Sequence, residues 1–528
     1  MKKNTIQFIL SSTVLLLALS ACKSVNTPIT VTGLAHERQP LSNAQVTLID
    51  ASGKQLKAKT NALGIYTIST NELTLPILAS VVSQGKAEDC ANNSRLRPIC
   101  LAALVNNIPD NKNLVANINP LTDRVVSDIA IGKKFIGPQQ WVDSNVVGAV
   151  DTQSIKQALA SMRDGFSAAL TTAGVINVAE FDPATFAMTD TTPVTEIFSL
   201  LHHNRNYDNN SGSTGHTSLT DFSFRPITGL MPNGAYEAFD LQRARDEHRK
   251  VNDAKTRIFI VGDSTSAVYE QLRYPRMGWG QAFAAQFKPD SGIEVIVGSR
   301  AGRSSRDFYN GRWFAQMDYL IQAGDYVFIN HGHNDQNCDS NKALRGLADV
   351  KNLCTYPNST AGKPQFPPDH PELSFQHSLE RYIKIAQERG AHPVIFTPTA
   401  RIKNAKGEQT TPVVHTHLTR QNADNGYLFT GDYSETIKTI AQLHKLPLID
   451  LETASISFAN KVGEPGWRNY WLVIDPAINP FYANNAAGST QAPDGTHFQK
   501  NGAEAMAELV AEAIKKNTDL TALHPYLN

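Results

Sequence analysis

From Arg257 onward, short apolar runs rich in β-branched residues alternate with helical patterns, and this alternation constrains the fold more than any other feature of the chain. The runs are "RIFIV", "IEVIV", "DYVFIN", "HPVIF" and "LPLID", and the last helical pattern is "GAEAMAELVAEAIKK". Strands apolar throughout need cover on both faces, and the intervening helices supply it. The pattern predicts an α/β three-layer domain with a parallel sheet over 256–528. In such a sheet, ligands bind beyond the carboxyl ends of the strands.

The first strand-to-loop junction reads "VGDSTS" and carries Ser264. A serine hydroxyl becomes a useful nucleophile only when a base takes its proton and a carboxylate orients that base. "PDGTHF" offers both, with Asp494 and His497 three residues apart, just ahead of the final helix. The chain contains no G-x-S-x-G, which excludes the nucleophile elbow of α/β-hydrolases. Two other strand ends carry donors for a developing oxyanion: Gly302 in "SRAGRSSRDF" through its backbone N–H, and Asn334 in "NHGHNDQN" through its amide. Each alone is ordinary turn or cap chemistry. Their joint occurrence is the signal.

Together "VGDST", "AGRSSRDF", "GHND" and "DGTH" resemble, in order, the four blocks of the SGNH (GDSL-like) hydrolases. The resemblance implies Ser264 as nucleophile and first oxyanion donor, Gly302 and Asn334 as the other donors, His497 as base and Asp494 as its partner. "GDST", "GWG" at 278–280, "AGRSSR", "GHND" and "GDY" at 431–433 most resemble rhamnogalacturonan acetylesterases. This implies removal of acetyl groups from a pectin-type polysaccharide, with no cofactor and no metal. The rival readings are an esterase acting on the cell's own envelope polysaccharide or on lipid or thioester substrates, and a non-catalytic surface binding lipoprotein. His415 and His417 in "VVHTHLT" are rival bases, while His331 and His333 are expected to shape the Asn334 loop. The resemblance runs from about Arg257 to Lys515. Within it, the segment from Gln336 to Leu373 is longer than expected, and Trp467, Tyr470, Trp471, Phe481 and Tyr482 near the Asp494 loop read equally as sugar-stacking or core residues.

The first half of the chain reads as a multidomain preface. Over 28–84, "ITVTGLA", "AQVTLID" and "GIYTIST" alternate apolar and polar residues between turn signals, as in a small β-sandwich resembling the carboxypeptidase-regulatory modules of exported proteins. Over 85–205 the period changes to three and four, and Ile155, Leu159, Met162, Phe166 and Leu170 define an amphipathic helix in a mainly helical domain. His202 and His203 are expected to face solvent or cap a helix, and 206–255 reads as a linker.

Residues 1–21 combine Lys2 and Lys3 with an apolar stretch too short to span a bilayer, the form of a secretory signal. "LSAC" resembles the bacterial lipobox, so Cys22 is the expected lipidation site and 22–27 the anchor linker. Lys23 in place of Asp favours the outer membrane by resemblance to lipoprotein sorting rules. Four cysteines remain in this oxidising context; three connectivities exist, and the spacing predicts Cys90–Cys100 and Cys338–Cys354. With 49 basic against 49 acidic side chains, no field attracts nucleic acid. Cys22→Ser should move the protein from the membrane to the soluble fraction and abolish incorporation of a labelled fatty acid; unchanged partitioning would sink the anchor.

Overall fold

The computed structural model describes residues 28–91, 98–205, 215–228, 238–338, 344, 346, 348–358, 366, 369–402, 412–419 and 430–528. The expected leader 1–21, Cys22 and the anchor linker 22–27 lie outside the described residues.

Strands β1 (Ile29–Leu34), β2 (Gln45–Ile49), β3 (Gln55–Lys59), β4 (Ile65–Thr70), β5 (Ile77–Ser83), β6 (Ile99–Val105) and β7 (Asn113–Val115) form two sheets, ordered β4-β1-β7 and β3-β2-β5-β6. Val31, Val46, Tyr66, Leu101 and Ile118 share the core between them, and Tyr66 Oη donates to the Ala116 carbonyl at 2.5 Å. The boundary expected at 84 therefore falls too early, since β6 and β7 complete the two sheets. Every residue of β6 is buried. Leu101 and Ala103 face the partner sheet, while Ala102 and Leu104 pack with Leu121 and Val125 of the helix Pro120–Gly132. A strand covered on both faces loses the alternation by which an exposed-face strand is read.

The helices of the middle region start where their caps place them. Asn119 and Thr122 form a capping box ahead of Pro120–Gly132, and Asp151 accepts from the Ser154 N–H at 2.8 Å to begin Thr152–Thr172. Of the expected linker 206–255, the described residues 215–228 and 238–255 are instead structured. Strands β8 (His202–Asn204), β9 (Ser218–Thr220) and β10 (Pro226–Thr228) form a small sheet, and a helix spans Leu241–Asp253. His202 and His203 are buried, not solvent-facing: His202 stacks on Phe224 with centroids 4.0 Å apart, and His203 Nε2 lies 2.8 Å from Asp123 Oδ2.

The second half holds β11 (Thr256–Gly262), β12 (Ile293–Val297), β13 (Tyr326–Asn330), β14 (His392–Phe396) and β15 (Leu448–Ile449) in one sheet ordered β12-β11-β13-β14-β15, every pairing parallel. Alternate residues of β11 enter two cores. Ile258 and Ile260 join Trp279, Met506 and Val510 on one side, and Phe259 and Val261 join Phe308, Leu379 and Ile437 on the other. The second core continues without a break into Leu121, Phe166 and Ala102, so the middle helices and the outer face of the β3-β2-β5-β6 sheet pack into one body with the α/β layers.

Asp123 fastens the junction of β6 with the middle region. Its carboxylate accepts from the Ala102 N–H (2.7 Å), Thr217 Oγ1 (2.7 Å) and Arg205, and meets His203. Burial opposes its charge, yet Arg205 and His203 hold the carboxyl well below the usual range. Asp123→Ala should lower stability by about 3–5 kcal/mol in denaturant unfolding, because Arg205 is left buried without its partner; a loss below about 1 kcal/mol would show that the cluster does not fasten the junction.

Candidate functional site

Ser264 stands two residues beyond β11. Gly262 ends that strand because a Cβ there would lie 2.4 Å from the Asn330 carbonyl of β13. Behind the turn, the "GWG" glycines let a second segment approach: a Cβ on Gly278 would sit 2.4 Å from the Ala267 oxygen, and one on Gly280 2.4 Å from the Ser266 oxygen. Trp279 N–H donates to the Thr265 carbonyl at 2.9 Å, and its Nε1 donates to Asn330 Oδ1 at 3.0 Å. The turn is thus clamped before any substrate arrives.

Asp263 completes the clamp, a role absent from the sequence reading. Its Oδ1 accepts from the Thr265 N–H and hydroxyl at 3.0 and 2.9 Å, and its Oδ2 accepts from the His333 N–H at 3.2 Å, which joins the Ser264 turn to the Asn334 loop. Complete burial raises its pKa. Tyr269 Oη donates to the Ser264 carbonyl at 2.7 Å, and the buried Arg276 donates to Tyr269 Oη at 3.1 Å.

Asp494 and His497 arrive on β17 (Asp494–Phe498), which pairs with β16 (Trp471–Leu472). Trp471 opposes Phe498 but Leu472 opposes Asp494, so residues 495–497 bulge from the ladder and the His497 ring folds back onto Asp494. His497 Nδ1 lies 2.6 Å from Asp494 Oδ2, and Nε2 lies 2.8 Å from Ser264 Oγ. With the proton on Nδ1 donated to Asp494, Nε2 accepts the Ser264 hydroxyl. Asp494 also accepts from the Thr496 N–H at 2.8 Å. Burial would raise its pKa, but the charge and hydrogen bond of His497, reinforced by Arg276, hold it well below the usual carboxylate range.

The two expected oxyanion donors lie on loops tied to the same turn. Gly302 follows β12 with φ of +74°, a backbone region that favours glycine, and the Arg300 N–H of its segment donates to the Gly262 carbonyl at 3.1 Å. Asn334 Nδ2 is buried with no hydrogen-bond partner among the described residues, a donor left for a ligand. Its neighbour Asp335 accepts from the Ser305 N–H and hydroxyl at 2.7 and 2.6 Å, which joins the Gly302 and Asn334 loops.

The other singled-out residues fall elsewhere. His331 is buried and burial pushes its pKa down to about 3, so it stays neutral inside the loop. His415 and His417 meet Glu452, not Ser264. Trp467, Trp471 and Tyr482 are buried, and Tyr470 and Phe481 half-buried. The disulfides are Cys90–Cys100 and Cys338–Cys354. The second lies in the long segment after the Asn334 loop, which Arg306 also holds through Asp349 (2.5 Å) and the Glu372 carbonyl (2.9 Å).

Asn334→Ala should lower kcat on an activated acetate ester by about 10²–10³ with KM little changed, the cost of one oxyanion donor; steady-state kinetics showing an unaltered kcat would remove Asn334 from that role.

Residues 260–505 match the GDSL-like lipase/acylhydrolase family. A probable rhamnogalacturonan acetylesterase of Bacillus subtilis, YesY, is 30% identical over 49% of this chain and 92% of its own length. The rhamnogalacturonan acetylesterase RhgT of the same organism is 28% identical over 49% of this chain and 89% of its own. Among solved structures, the Bacillus subtilis protein YxiM aligns over 50% of this chain and 57% of that one, at 20% identity and a TM-score of 0.33. The chain belongs to the GDSL-like lipase/acylhydrolase family and is a carboxylic ester hydrolase.

Proposed function

We propose that this enzyme removes acetyl groups from a rhamnogalacturonan-type pectic polysaccharide through an acetyl-enzyme on Ser264. The observation that carries the reading is the unbroken chain Ser264 Oγ, His497 and Asp494, with links of 2.8 and 2.6 Å. The relatives named as rhamnogalacturonan acetylesterases support the substrate class.

Ser264 Oγ attacks the acetyl carbonyl while His497 Nε2 takes its proton. The carbonyl electron pair moves onto oxygen, where Asn334 Nδ2 and the N–H groups of Gly302 and Ser264 stabilise it. Collapse breaks the bond to the sugar oxygen, and His497 returns its proton to that oxygen, leaving acetyl-Ser264. Water then attacks the acyl carbon, His497 again takes and returns a proton, and acetate leaves with Ser264 restored. Asp494 holds the ring by its Nδ1 proton throughout. Because Asp494 stays ionised well into acid, loss of activity on acidification tracks protonation of His497 rather than of its partner.

The cellular setting is part of the proposal. The pattern of residues 1–22 supports a lipid-anchored outer-membrane protein, with the β1–β7 sheets resembling exported spacer modules. Acetate release from acetylated rhamnogalacturonan should exceed release from acetylated xylan and from O-acetylated peptidoglycan, and Ser264→Ala should abolish all three with the fold intact. Faster release from peptidoglycan would transfer the substrate to the envelope, and wild-type rates in Ser264→Ala would end the acetyl-enzyme.

A further inference from the structure

Beside the Asn334 loop, side chains that transition metals favour converge on one point. A ligand atom from each of His415, His417 and Glu452 lies within 4.8 Å of the other two, a grouping found at this place alone among the described residues. The residues come from two elements: the histidines from the stretch ahead of the helix Tyr433–His444, and Glu452 from the first turn of the helix Leu451–Val462. His415 Nδ1 is 2.8 Å from Glu452 Oε1, and His417 Nδ1 contacts the same oxygen. His417 is fully buried, Glu452 nearly so, and His415 is one-third exposed, which leaves a route from solvent.

The outer nitrogens of both imidazoles are held as well. His415 Nε2 lies 3.2 Å from Asp432 Oδ2, and His417 Nε2 lies 3.2 Å from His333 Nδ1. His333 Nε2 in turn lies 3.1 Å from Thr399 Oγ1. Metal-bound histidines show this arrangement, one ring nitrogen on the ion and the other donating to a carboxylate or a second acceptor. Without an ion, each ring donates an Nδ1–H to Glu452 Oε1; when an ion takes the place of those protons, His415 Nε2–H donates to Asp432, His417 Nε2–H donates to His333, and both Nδ1 lone pairs face the ion. A cation at their centre completes that set.

We propose that His415, His417 and Glu452 bind one divalent transition-metal ion of the zinc type, with Asp432 and His333 as outer partners. Two imidazoles and one carboxylate suit such an ion and suit calcium or magnesium poorly, since those take oxygen donors. Ion binding displaces any proton on the inner Nδ1 atoms to solvent and involves no redox change. The ion is a loop fastener, remote in role from the ester. Gln336 donates to the Thr416 and Leu418 carbonyls at 2.9 and 3.1 Å, on either side of His417, and His333 touches His417 directly. Both ends of the short stretch that carries Asn334 are therefore anchored to the metal-binding loop.

The test uses full-length protein stripped with a chelator and titrated with Co²⁺, followed by visible absorption and then by Zn²⁺ competition. The expected result is one Co²⁺ per chain with the intense d–d bands of a low-coordinate site, displaced stoichiometrically by Zn²⁺. His415→Ala, on the partly exposed loop, and Glu452→Gln should each abolish the bands, and Asp432→Asn should weaken affinity by about 10- to 100-fold. Far-UV circular dichroism identifies any variant that fails to fold. Absence of stoichiometric bands in the wild type overturns the site and leaves the histidines as hydrogen-bond donors to Glu452; so do undiminished bands in folded His415→Ala and Glu452→Gln. Neither readout depends on ester hydrolysis, so this site and the acetylesterase reading fail separately.

Discussion

The two-faced burial of the five-stranded sheet is the constraint from which the rest follows. Each central strand must be apolar on both faces, and consecutive residues of β11 divide between two cores. One core is closed by the helices of the α/β domain alone. The other reaches into the middle helices and the outer face of the first-half sheets. Burial of apolar area at roughly 25 cal/mol per Å² makes such continuity strongly stabilising, so the first half is fused to the catalytic half rather than tethered to it. Within the first half, the Asp123 carboxylate joins β6, β8 and the segment at Thr217, and its burial is tolerable only because each contact is charge-assisted or hydrogen-bonded.

How much of this was legible in the sequence follows from where each signal resides. β11 to β15 were readable because parallel strands buried on both faces appear as unbroken apolar runs. The same property hid β6, a strand buried along its whole length inside 85–205, a region whose periodicity of three and four reads as helical. The expected linker failed for a different reason: the helix Leu241–Asp253 buries only Leu241, Ala244 and Val251, and the strands beside it have three residues each. So little periodicity is lost among turn residues.

The site divides in the same way. Ser264, Gly302, Asn334, Asp494 and His497 were readable because each sits in a short motif with its own spacing. Their supports were not. Arg276 acts through Tyr269 on the Ser264 carbonyl and through its charge on Asp494, yet no sequence spacing links these residues. Asp263 lies within the first motif, but a carboxylate in a Gly-Asp-Ser turn reads as an ordinary cap. Glu452 was invisible as the partner of His415 and His417, lying 37 and 35 residues away on a separate helix.

The supports also bear on how the enzyme selects substrate. Oxyanion stabilisation is effective when the donors are fixed before reaction, because no reorganisation is then required at the transition state. Here every loop that carries a proposed donor is tied to another: the Ser264 turn to the Asn334 loop through Asp263, and the Asn334 loop to the Gly302 segment through Asp335 and Ser305. In the segment that follows Asn334, the described residues Asp349 and Glu372 are held by Arg306, and Cys338–Cys354 closes 16 residues, which stabilises by about 3 kcal/mol in the loop-entropy view. Of the five aromatic residues near the Asp494 loop, Trp467, Trp471 and Tyr482 hold the core, which leaves Tyr470 and Phe481 as the partly open rings. Selection among esters therefore rests on the contour around the site, and the proposed triad supplies the same chemistry to whichever acyl group that contour admits.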